Sequence, residues 1–185
     1  MQIARIGDGS NECYSAEVVG GKAANLARMA ALGLPVPPAF VLPVELCAEL
    51  VSGETGARQV LTEGLNEGIA FLQNATIKRF GDRRRPLLVS VRSGAARSMP
   101  GMLDTVLDVG CTSAAVQGLV RMSGNPRFAW DCRRRLLESY GAVVLGLDRG
   151  LFQRQLDELV AAEGVGAGLS LTGKRWSGWL QTIGT

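Results

Sequence analysis

Histidine is missing from all 185 residues of the chain. Its absence removes a histidine general base, a histidine metal ligand and a phosphohistidine carrier from these residues. Ser–His–Asp and Cys–His catalytic sites are excluded with it. Aromatic residues are scarce as well, at 5%. That is too few to interleave with basic residues along a nucleic-acid groove. No apolar run approaches the roughly 18 residues of a membrane span. Cys13, Cys47, Cys111 and Cys132 lie far apart without a CxxC pair, so neither zinc site nor disulfide framework is expected. We read them as buried free thiols.

What remains is an ordinary globular balance, 46% hydrophobic and 20% charged. It suits one domain, or one domain with a small appendage. The net charge is only +3. The triplets Arg83–Arg85 and Arg133–Arg135 read as solvated faces, and neither nucleic acid nor membrane is expected as a partner. The opening MQIARIGDGSNE lacks the apolar stretch of a signal peptide, which points to the cytoplasm.

Residues 2–6 alternate as a short strand, and GDGSNE reads as a loop. From Gly21 onward, small and apolar residues at Ala23, Ala24, Leu26, Ala27, Ala30 and Leu32 repeat with helical spacing. Gly33 supplies a left-handed stop and Pro35 follows it. AFVLP is a strand, and Pro43 opens a helix to about Val51. An amphipathic helix is expected over 57–80, weakened by Gly64 and Gly68. GDRRRP is a turn. Leu87–Val91 is nearly continuous apolar sequence, as in a strand covered on both faces, and DTVLDV suits another strand. Thr112 or Ser113 caps a short helix. Asn125 and Pro126 begin a longer one to about Val144, and a last helix is expected over 150–162. The chain is therefore α and β mixed in its first 110 residues and helical afterwards.

Chemistry concentrates in LLVSVRSGAARSMPGM, residues 87–102. Alternation puts Ser90 and Arg92 on one strand face, with Arg92 at the strand exit. Its planar fork suits phosphate oxygens. Ser93, Gly94, Ala95, Ala96, Ser98 and Gly101 then let backbone N–H groups approach an anion, and Ser98 and Thr105 add hydroxyl donors. The alternative is an Arg92 paired with a carboxylate beside a plain flexible loop. A second feature is GGKAAN. Lys22 falls in the first turn of a helix, where the macrodipole disfavours a cation by about 0.3–1 kcal/mol unless an anion sits there too. This is no P-loop, because GxxxxGK[ST] is absent. Nearby carboxylates are Asp104 and Asp108, which equally suit turn or strand-end positions.

GGKAANLARMAALGLPVPPAFVL, PLLVSVRSGAARSMPGMLDTVLDVG and GNPRFAWDCRRRLLESYG together resemble the N-terminal, ATP-binding region of the pyruvate, phosphate dikinase family. The resemblance covers most of residues 10–160. It implies an α+β fold: an ATP-grasp N-terminal subdomain over 1–110 with a glycine-rich phosphate loop, and a helical segment over 111–165. It implies ATP with magnesium held mainly through the nucleotide, and no metal ligands of the chain's own. Phosphate contacts fall to Lys22 and Arg92, with Ser93, Gly94, Ser98, Gly101, Asp104 and Thr105 along the loop. GAARSMPG sets Arg97 one position later than the family's usual GARASMPG, leaving Arg97 without a carried-over role.

Family members are far longer. Their remaining ATP-grasp half, carrier-histidine domain and pyruvate or phosphoenolpyruvate barrel have no counterpart here. The expectation is a phosphate-cradling part that does not complete the reaction alone, the alternative being a non-catalytic interaction module or relic half-domain. Residues 166–185 fall outside the resemblance. There Trp176, Trp179, Leu180 and Ile183 share one face of a short amphipathic helix. It either docks on the protein's own helices or makes a homo-oligomer or partner-chain contact.

Overall fold

The computed structural model describes residues 3–10, 12–94 and 105–163. Among these the chain is mixed α and β, as expected, with seven helices and three two-stranded sheets. It divides into two compact units, Met1–Lys78 with Arg92–Asp104, and Arg79–Val91 with Thr105–Thr185.

The first unit contains β1 (Ala4–Ile6), α1 (Ala16–Val19), α2 (Gly21–Ala31), β2 (Ala39–Val41), α3 (Val44–Ser52) and α4 (Ala57–Thr76). In β1 the alternation is real: Ala4 and Ile6 are buried and Arg5 is exposed. The strand pairs antiparallel with β2, Arg5 opposite Phe40. Small residues let α2 pack closely, and Ala24 joins Ala4 and Val19 in a buried cluster. Gly33, at φ 77°, ends α2 as the spacing predicts. Its N–H donates to the Ala30 carbonyl at 2.9 Å and the Leu34 N–H to that of Met29 at 3.1 Å, a Schellman closure.

Gly64 and Gly68 do not break α4; both are buried. A β-carbon on Gly68 would overlap the Phe40 ring of β2, so packing demands what helix propensity penalises by about 1 kcal/mol. The expected helix over 57–80 is too long, however. Ile77 adopts a left-handed φ of 55°, which ends α4 at Thr76, and residues 79–80 enter a strand instead.

That strand, β3 (Arg79–Phe80), opens the second unit. It pairs parallel with β4 (Pro86–Leu87), and β5 (Val89–Arg92) pairs with β6 (Thr105–Val109). Then come α5 (Ser113–Ser123), α6 (Pro126–Val143) and α7 (Arg149–Glu163). The Thr112 hydroxyl accepts the Ala115 N–H at 3.1 Å, and Asn125 Oδ1 accepts that of Phe128 at 3.0 Å. Both caps stand where the sequence placed them, each worth about 1 kcal/mol. Cys111, Val116, Leu119, Ala129 and Cys132 form the core, with Leu88, Trp130 and Leu136 against it. Ser139 is buried and its hydroxyl is fully used. It donates to the Arg135 carbonyl at 2.6 Å and accepts the Leu107 N–H at 3.0 Å, tying α6 to β6.

Two further expectations need correction. Leu87–Val91 is not one strand covered on both faces: the run changes partner at Leu88. Pro86 and Leu87 are buried, whereas Ser90, Val91 and Arg92 are exposed, because β5 has a single neighbouring strand. Nor are all four thiols buried. All are free, but Cys13 and Cys47 are exposed. Cys13 precedes α1 in irregular chain, and Cys47 follows buried Leu46 one step around α3. Burial pushes the Cys111 thiol up to about 12 and the Cys132 thiol up to about 11. Both therefore remain protonated and inert at neutral pH. The tail bearing Trp176 and Trp179 lies outside the described residues.

Gly68→Ala is expected to destabilise the protein by about 1–3 kcal/mol through overpacking against Phe40. Urea titration checks this, and an unchanged midpoint would show that the ring moves aside freely.

Candidate functional site

Gly20 connects α1 to α2 with φ 82° and ψ 153°, a region open essentially to glycine alone. It is buried. Its N–H closes α1 on the Ala16 carbonyl at 2.9 Å, and its own carbonyl receives the Ala24 N–H at 3.0 Å, opening α2. The amides of Gly21, Lys22 and Ala23 thus precede the first intrahelical bond. No side chain caps them and the first turn holds no acid. Lys22 is exposed among them. The macrodipole and the lysine both favour an anion at this place.

The second predicted feature comes to the same place. A β-carbon on Gly94 would lie 3.8 Å from the Val19 carbonyl oxygen at the end of α1. The segment leaving β5 therefore passes beside the Gly20 connection, within the first unit. Arg92, Ser93 and Gly94 are all exposed. Among the described residues Arg92 makes no ion pair with a carboxylate. Ser98, Gly101 and Asp104 lie outside the described residues. Thr105 is half-buried at the start of β6, in the second unit.

Sequence reasoning missed α1 and with it the role of Val19. Four residues, Ala16–Val19, are too few to show a helical period. It also missed an open groove of about 490 Å³ in the first unit, between the β1 end and α4. The groove's cation is already occupied: Arg5 pairs with Glu67 at 2.5 Å and lies 5.8 Å above the Phe71 ring. None of the candidate phosphate ligands lines it.

Asp108 is the other carboxylate close to the loop in sequence. It lies in β6 at φ 54°, and its Oδ2 is buried without a hydrogen bond. The Arg135 Nε stands 4.0 Å from it. Desolvation raises the Asp108 pKa, the Arg135 charge opposes the rise, and Asp131 adds to it. Among the described residues no three His, Cys, Asp or Glu side chains cluster to hold a metal.

No protein-family model matches the chain. Individual proteins do. Over 155 residues it is 41% identical to the pyruvate, phosphate dikinase of Clostridium symbiosum, which takes in 84% of this chain and 18% of that protein. Over 158 residues it is 42% identical to the enzyme of Rhizobium meliloti strain 1021, covering 85% of the chain and 18% of the relative. The chloroplastic pyruvate, phosphate dikinase 1 of Oryza sativa subsp. japonica is 40% identical over 173 residues, 92% of the chain and 18% of that protein. The chain is homologous to part of pyruvate, phosphate dikinase. It spans about 18% of the length of these dikinases. Among the described residues no helix is long and apolar enough to cross a membrane.

One prediction follows from Asp108. Its folded pKa lies above the unfolded value, so folding disfavours the ionised form. Asp108 therefore costs least below the ordinary carboxyl range and most once pH exceeds its folded pKa. Asp108→Asn, which tolerates the same positive φ, is expected to be more stable than the parent at neutral pH. The gap should close as pH falls through the carboxyl range, as read by thermal unfolding across pH. A gap that widens on acidification would mean the Arg135 attraction outweighs burial.

Proposed function

We propose that this chain is the ATP-holding part of a pyruvate, phosphate dikinase-like phosphotransferase, an ATP-grasp N-terminal subdomain that cradles phosphate. The observation that carries the reading is the approach of Gly94 to Val19. It sets the exit of the arginine-bearing strand beside the uncapped start of α2, the two features chosen for phosphate chemistry on independent grounds. Homology to the dikinases over most of the chain agrees with it.

In this reading the Lys22 ammonium and the amides of Gly21–Ala23 take phosphate oxygens. Arg92 grips a further oxygen pair through its fork. The family resemblance assigns the further phosphate contacts to Ser93, Gly94, Ser98, Gly101, Asp104 and Thr105. ATP supplies the phosphoryl group and its accompanying magnesium neutralises phosphate charge. The donor set fits this group: it is cationic and rich in N–H, without a carboxylate cluster among the described residues. In this reading magnesium arrives with the nucleotide. The task of these residues is binding and orientation. No histidine of this sequence can accept the phosphoryl group.

Calorimetric titration with Mg·ATP tests the proposal. The parent chain should bind saturably, and Lys22→Ala and Arg92→Ala should each weaken binding about tenfold or more, as loss of a charged hydrogen bond implies. Absence of heat from folded parent protein, or equal affinity in both variants, would refute it.

A further inference from the structure

The two arginine triplets, alike in sequence, differ in what surrounds them. The second is engaged within its own unit, although the buried Arg133 Nε has no hydrogen bond. Arg134 pairs with Asp131 at 2.8 Å and Glu138 at 2.6 Å, Arg133 donates to the Cys111 carbonyl at 2.8 Å, and Arg135 faces Asp108. The first triplet has no such partners. Arg83, Arg84 and Arg85 are exposed in the turn between β3 and β4, and Arg79 and Arg121 are exposed beside them. Among the described residues no carboxylate forms an ion pair with any of these guanidinium groups. The acid within the turn is Asp82, and its Oδ2 already accepts the backbone N–H groups of Arg85 at 2.8 Å and Arg84 at 3.1 Å.

The cluster is also built to hold its shape. The Arg79 N–H donates to the Arg85 carbonyl at 2.8 Å, closing the turn across the β3–β4 pair. Arg121, at the end of α5, donates through Nη1 to the Arg83 carbonyl at 3.1 Å. α5 lies so close that a β-carbon on Gly118 would come within 2.7 Å of the Pro86 Cδ and 2.8 Å of the Arg83 carbonyl oxygen. Mutually repelling cations are thus held together on one turn, exposed and, among the described residues, without a carboxylate partner, and able to pair with an outside anion.

We infer that the β3–β4 turn and the end of α5 form a docking surface for an acidic stretch of polypeptide. Guanidinium forks match successive carboxylates, and a fixed turn lowers the ordering cost of binding. Nucleic acid fits less well. Single-strand binders stack successive bases on several aromatic side chains, whereas residues 79–87 hold one, Phe80.

The test is fluorescence anisotropy of a labelled poly-glutamate peptide titrated with the whole chain. Binding should saturate at low ionic strength and weaken as salt rises. The exposed triple substitution Arg84→Ala, Arg85→Ala, Arg121→Ala should lower affinity about tenfold, the sum of several surface pairs. Lys22→Ala should leave it unchanged, which separates this surface from the proposed ATP site. Equal affinity in the triple variant, loss of binding in Lys22→Ala, or tighter binding of an oligouridylate than of the peptide would each overturn the inference.

Discussion

A single glycine governs what the first unit can present to an anion. Gly20 holds φ 82° and ψ 153° between two helices, ending α1 and starting α2 within one residue. Any residue with a β-carbon would have to leave that conformation. The two helices would then lose their common hinge, and α2 its exposed row of amides. The neighbouring small residues serve the same geometry. Ala24 packs against Ala4 and Val19, fixing the start of α2 over β1, and Gly94 passes beside the Val19 carbonyl.

The second unit rests on a different arrangement, in which close backbone approach and polar satisfaction fix α5 and α6 on their strands. Gly118 brings α5 onto the β3–β4 turn, and Ser139 gives its hydroxyl to both α6 and β6. Satisfaction fails at Asp108 Oδ2 and Arg133 Nε, both buried without a hydrogen-bond partner. The burial of Asp108 disfavours its ionised form. In the same unit Arg134 and Arg135 of one triplet face carboxylates, while among the described residues the other triplet forms no ion pair, so residue count alone says little about charge on display.

Much of this was legible in the sequence, and the exceptions share a cause. Helix starts and stops were readable where a specific group does the work: Gly33, Thr112, Asn125 and Pro126 all act as their residue types suggest. Lys22 in the first turn and Arg92 at the strand exit were readable for the same reason, since each is unusual for its local position. What could not be read depends on distant partners. Ile77 leaves the helix although its type favours no such turn, and Gly68 is required by Phe40, twenty-eight residues away. The run at Leu87–Val91 is apolar throughout, yet it switches strands at Leu88 and leaves Val91 53% exposed. The nearness of Gly94 to Val19 is a tertiary fact, invisible to spacing.

The central claim is that the amides at the start of α2, together with the segment leaving β5, receive nucleotide phosphates. Backbone amide NMR of the labelled chain during Mg·ATP titration addresses it most directly. The account predicts that Gly21, Lys22, Ala23, Ser93 and Gly94 shift together along one saturation curve. Shifts confined to the Arg5 and Phe71 groove, or none at the Gly20 connection under saturating nucleotide, would contradict it.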